Sequence, residues 1–236
     1  WTFKASAPGS DGLFTPYGEM PMRIAPDETG QVYRTRARKY AWAPDVYVAF
    51  LWRFDSSVNT RQTQLAVSRD GLHWRSYAET WYIPAGGEFE GREIVEALAA
   101  DGLIRQGDEL WHYAQYSSME HGEEGVSANV RLTQRLDGFV SLDAGPEGGV
   151  ADTLPLIFSG DRLELNVNAR NGELRVALLD EMGEPLSGYG LNDCDPIQGT
   201  DSTRQVVAWR GSPDVSALAG RPIRLRFSMR NAKLYA

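Results

Sequence analysis

The sequence contains a single cysteine, Cys194, and only three histidines in 236 residues. One thiol cannot close an internal disulfide, so cysteine usage leaves the redox compartment open. His73, His112 and His121 are scattered without the spacing of a zinc site. No apolar run approaches the ~20 residues that a membrane-spanning helix needs. Trp1-Thr2-Phe3-Lys4 also lacks the basic and apolar regions of a signal peptide. Basic residues are outnumbered, 24 Lys and Arg against 32 Asp and Glu, and the net charge of −8 argues against nucleic acid and anionic lipid as partners. No nucleophile elbow, phosphate loop or dinucleotide fingerprint occurs. Helix signals are scarce as well: "EGREIVEALAA" (90–100) alone has a helical composition.

What is abundant is apolar and aromatic: 42% of residues are hydrophobic, with seven Trp, ten Tyr and eight Phe. Short β-rich runs, "VYVAFLW" (46–52), "TQLAVS" (63–68), "LRVALLD" (174–180), "QVVAW" (205–209) and "IRLRFSM" (223–229), alternate with Gly, Pro, Asp and Asn. That pattern predicts an all-β chain. In "AVSRDGLHW" (66–74), Asp70-Gly71 between apolar runs is a hairpin signal, because a tight turn needs positive φ.

An internal repeat organises the first part. Leu65, Asp70 and Gly71 in "QLAVSRDG" recur as Leu132, Asp137 and Gly138 in "RLTQRLDG". Each copy follows an aromatic-rich strand, "DVYVAFLWRF" and "DELWHYAQYS", and a further strand precedes each of these. Three strands, a hairpin and an outer strand make one four-stranded propeller blade. The repeat therefore places an inner strand at "EIVEA" (93–97), against its helical propensity. After about Leu136, turns at 168–173, 180–185 and 209–214 space the strands as an antiparallel β-sandwich would. The predicted domains are propeller blades over 1–135 and a sandwich over 136–236.

"VYVAFLWRF…QLAVSRDGLHW", "GDELWHYAQY…HG", "RLDGFVSLDAG" and "GRPIRLRFSMRNAKLYA" together resemble the C-terminal half of five-bladed propeller plus β-sandwich proteins related to the invertase- and arabinanase-like glycoside hydrolases. The resemblance implies a partial propeller, its last two blades plus a remnant of a third at 1–30, followed by a C-terminal sandwich. It also implies missing blades, upstream or on another chain, that carry the principal catalytic carboxylates. The expected partner is an oligosaccharide or polysaccharide; a secreted or periplasmic setting would suit such a partner, and the localisation itself stays open. The alternative is a non-catalytic carbohydrate-binding or assembly module of the same architecture. "SRDGLHW" resembles the Asp-box hairpin of sialidase-type propellers, which implies a corner remote from the channel, with Trp74 packing between blades.

Glycoside hydrolysis uses two carboxyl groups flanking the scissile bond. Glu88, Glu90 and Glu93 in "GGEFEGRE" are the local candidates. Glu90 stands where relatives carry an Asp and is assigned a supporting role at the channel mouth; the plain alternative is a solvated strand end. Asp27 and Glu28 precede Tyr33 and Arg34 in "PDETGQVYR", where Tyr33 offers a flat apolar face for a sugar ring or ordinary packing. His121 in "MEHGEEG" would hydrogen-bond substrate or shuttle a proton. No cofactor is expected, and no metal apart from a calcium candidate at Asp193, Asp195 and Asp201 in "NDCDPIQGTD", for which an Asx-type turn is the competing reading. Cys194 reads as a small buried apolar residue.

Overall fold

The computed structural model describes residues 6–8, 14–16, 31–43, 45–77 and 80–235. The described residues are all-β, with several open sheets and a single 3-10 turn. By contact the chain divides into two compact units, Trp1–Ile104 with Trp111–Thr133, and Arg105–Leu110 with Gln134–Ala236. Asp27, Glu28 and most of the expected third-blade remnant lie outside the described residues.

In the first unit β1 (Ser6–Pro8) pairs antiparallel with β2 (Phe14–Pro16). β3 (Gln31–Lys39), β4 (Tyr47–Asp55), β5 (Thr60–Ser68) and β6 (Trp74–Ser76) then form an antiparallel meander. A small hairpin, β7 (Glu88–Phe89) and β8 (Arg92–Glu93), precedes β9 (Glu96–Gln106), β10 (Glu109–Ser117) and β11 (Ser127–Arg135). The sheet order is β11-β10-β9-β5-β4-β3, with β6 beside β5. The link between the two meanders is parallel, Gln62 opposite Ala97.

β4 is buried from Val48 to Arg53, which explains its unbroken apolar run in place of alternation. On one face Trp52 Nε1 donates to the Ala99 carbonyl at 2.9 Å and the Phe50 ring lies 4.4 Å from that of His112. On the other, Ala49, Leu51 and Ala66 cluster with Trp74 packed against them. Trp74 thus covers its own sheet, where packing between repeats was expected. The helical-looking alanines are strand because they meet Thr63 at close range. Thr63 Oγ1 donates to the Ala97 carbonyl and accepts from the Ala99 amide, both at 2.8 Å. Tertiary contact overrides propensity here. The strand starts later than the expected Glu93–Ala97, at Glu96, because Glu93 already belongs to the preceding hairpin.

The Asp70 corner is held by its own side chains. Ser68 Oγ donates to Asp70 Oδ1 at 3.0 Å and accepts from the Gly71 amide at 2.9 Å. Asp70 Oδ1 also accepts from the Leu72 and His73 amides, and Trp74 Nε1 donates to the Gly71 carbonyl. These donors hold the Asp70 carboxyl well below its ordinary range, the His73 ring contributing most. The second copy is built differently: positive φ falls on Gly71 in the first and on Asp137 in the second.

The second unit contains β12 (Ser141–Ala144), β13 (Gly149–Asp152), β14 (Glu164–Asn168), β15 (Glu173–Leu179), β16 (Ile197–Gln198), β17 (Asp201–Val206), the 3-10 turn Ser216–Leu218, β18 (Arg224–Arg230) and β19 (Ala232–Tyr235). They form two four-stranded sheets, β12-β19-β14-β17 and β13-β18-β15-β16, with antiparallel pairing throughout. Alternate residues of both sheets, Leu165 and Val167 from one, Leu174, Val176, Leu178, Phe227 and Met229 from the other, enter one buried cluster. Trp209 closes it, donating its indole N–H to the Val176 carbonyl at 2.9 Å.

Candidate functional site

The antiparallel order of the first meander brings the start of β3, the end of β4 and the start of β5 to one end of the sheet. Gln31 pairs with Phe54 and Phe54 with Arg61. The start of β9 and the end of β10 meet there too, since the Val95 amide donates to the Ser117 carbonyl. The Asp70 corner follows Ser68, which pairs with Tyr47 at the opposite end of β4 and β5.

At this end a charged and aromatic cluster assembles. Glu96, 1% exposed, accepts two bonds from Arg61, Nε to Oε1 and Nη2 to Oε2, both at 2.7 Å. This parallel fork is the strongest carboxylate–guanidinium geometry. Glu96 raises the Arg61 pKa further above its ordinary value, against burial, which lowers it. The Arg61 guanidinium carbon lies 5.0 Å from the Tyr33 ring centroid. The Tyr33 ring meets His121 edge-on at 4.9 Å, and Phe54 meets His121 at 5.5 Å. The His121 loop is tied down by Asn59, whose carbonyl accepts from the His121 amide at 2.9 Å and whose side chain donates to the His121 carbonyl at 3.2 Å.

Local chemistry explains each placement. The β3–β4 register shifts between Val32 and Arg34, so Tyr33 is the extra residue of a bulge, a device that re-aims a side chain. Tyr33 remains 51% exposed, with Arg61 over its ring and His121 set edge-on to it. Asn59 adopts φ 53, a conformation Asn tolerates, at the close of the β4–β5 turn that Asp55 begins by accepting from the Ser57 amide and hydroxyl.

The expected site residues divide. Tyr33 and His121 come together. Arg34 instead lies over Trp52, 5.0 Å from its ring, with Arg36 at 4.9 Å and paired to Asp101. Glu88, Glu90 and Glu93 sit on the exposed β7–β8 hairpin. Glu90 and Gly91 form its two-residue turn, with φ 51 and 72, and Glu88 pairs directly with Glu93. Among the described residues nothing encloses these three exposed carboxylates, whereas a carboxyl kept protonated as a general acid sits in an apolar pocket. The carboxylate that does enter the cluster is Glu96. The sequence carries its signal, a lone acid inside the apolar run "IVEALAA", since a buried charge demands a partner. Arg61, Phe54 and Asn59 carried no comparable signal.

The calcium candidates do not converge. Asp193 accepts from Arg210 and from the Gly190 amide, Asp195 accepts from the Gly211 amide, and Asp201 pairs with Arg135 and Arg170. Among the described residues no group of three potential ligands is placed to hold a metal. Cys194 is buried, with Sγ accepting from the Val176 amide at 3.2 Å, and burial pushes its thiol pKa up. No described helix is long and apolar enough to cross a membrane. No family model matches the chain, and neither a curated protein nor a solved structure proved similar to it.

Proposed function

We propose that the chain is the carbohydrate-handling part of a propeller-plus-sandwich protein related to the invertase- and arabinanase-like glycoside hydrolases. In this reading β3 to β6 are one blade, β9 to β11 belong to the next, and the two four-stranded sheets of the second unit are the β-sandwich. The observation that carries it is the Tyr33–His121–Arg61–Glu96 cluster. A half-exposed tyrosine beside an imidazole, braced by a buried ion pair, offers the apolar ring and polar edge that a pyranose or furanose ring uses. Within the cluster the single buried carboxylate is engaged by Arg61, which favours saccharide binding over bond cleavage by these residues. In a hydrolase of this kind the acid and its partner would come from blades outside this sequence.

The test is a titration of plant and algal oligosaccharides, with hydrolysis followed in parallel. Binding is expected to weaken at least about tenfold in Tyr33→Ala and His121→Ala, the loss of one stacking or hydrogen-bond contact. Glu90→Gln should leave it unchanged. Absence of binding to every glycan, or equal binding in all three variants, would refute the reading.

A further inference from the structure

A second candidate site lies in the second unit, at the end where both sheets turn. Pro146 of the β12–β13 turn, Arg170, Asn171 and Gly172 of the β14–β15 turn, Gln198 at the end of β16 with Gly199 after it, and Arg230 at the end of β18 with Asn231 after it line an open cleft of about 540 Å³. That volume lies within the range of small-molecule sites. The turns are packed backbone to backbone: a Cβ on Gly172 would stand 2.0 Å from the Arg230 carbonyl oxygen.

The lining is rich in unused donors. Asn171, Gln198 and Asn231 present carboxamides, and Arg230 a guanidinium, none with a side-chain partner among the described residues. Arg170 touches Asp201 only at 3.4 Å and keeps a side chain 68% exposed. The one carboxylate in the lining among the described residues, Glu173, is occupied by Arg175 at 2.8 Å. Two guanidinium forks match a carboxylate, and carboxamides, which both donate and accept, match hydroxyls. Among the described residues Pro146 is the sole apolar side chain of the lining, so the cleft offers little to a ligand with a large apolar face.

We infer that this cleft binds an acidic sugar, with Arg170 and Arg230 taking its carboxylate and Asn171, Gln198 and Asn231 its hydroxyls. The inference stands apart from the Tyr33 cluster, which lies in the other unit. The experiment titrates the full chain with glucuronate, glucose and acetate, read by amide chemical shifts, at low and high salt. Glucuronate should bind best, shift the amides of Gly172, Gly199 and Asn231, and weaken with salt. Arg230→Glu should raise its dissociation constant at least about tenfold, the loss of one charge-assisted contact. Gln198→Ala should produce a smaller loss. Equal binding of glucose, indifference to Arg230→Glu, or no shifts at these turns would overturn the assignment.

Discussion

Glu96→Gln tests the core of the site. In the native protein both carboxylate oxygens accept from Arg61 at 2.7 Å, with Glu96 1% and Arg61 16% exposed. An amide keeps one acceptor and turns an N–H donor toward the second guanidinium N–H, leaving a largely buried charge uncompensated. Breaking a buried pair from one side costs about 3–5 kcal/mol. The lower figure applies because Arg61 retains one bond and some solvent. With a urea dependence of about 2 kcal/mol/M, a loss of about 3 kcal/mol moves the unfolding midpoint of the first unit down by about 1.5 M. Equilibrium unfolding followed by tryptophan fluorescence and circular dichroism reads this. Trp209, the single tryptophan of the second unit, reports that unit when the others are replaced by Phe. The double variant Arg61→Met with Glu96→Leu removes both charges and should recover most of the loss, since apolar replacement of a buried pair is often neutral. A loss below about 1 kcal/mol in Glu96→Gln would mean that the pair behaves as a solvated one. A double variant no better than the single would show that the unpaired charge is not the cause.

Three further outcomes follow from buried or crowded groups. His112 donates Nε2–H to the Ala100 carbonyl, and its Nδ1 is buried without a partner, so desolvation lowers its pKa below the ordinary 6.5. Its contribution to stability is complete above pH 6.5 and is lost as pH falls from there toward the folded-state pKa. The slope, at most about 1.4 kcal/mol per pH unit, should flatten in His112→Gln when urea unfolding is repeated across that window. Gly172→Ala places a Cβ 2.0 Å from the Arg230 oxygen and 2.3 Å from the Asn231 oxygen. The backbone there must shift, so thermal unfolding should show a loss of at least about 1–3 kcal/mol confined to the second unit. Cys194 should resist thiol reagents until the second unit unfolds, because it is buried and its thiolate is disfavoured; rapid labelling of the native protein would contradict its placement.

The Asp70 corner was legible because all of its partners, Ser68 to Trp74, lie within a few residues of one another. The repeat also located the third strand and following turn of each meander, although the two turns take positive φ at different residues. Glu90 drew attention because it stands where the resembled family carries an Asp before the inner strand. The structure puts it at a hairpin tip, because Gly91 beside it completes a two-residue turn. The Arg61–Glu96 pair spans 35 residues, and its partners become neighbours only through the parallel contact of β5 with β9. No local pattern announces that contact.

Composition and spacing alone therefore determined that this chain is built of strands, where most of them run, and which turns join them. Those properties depend on backbone preferences and on side chains a few positions apart. Tertiary structure decided that alanines with helical propensity lie flat against Thr63, that a bulge turns Tyr33 toward His121, and that Glu96 is the buried acid beside them. These outcomes rest on register and on the cost of burying a charge without a partner. Both are set by the strands that meet, and neither by any one strand's sequence.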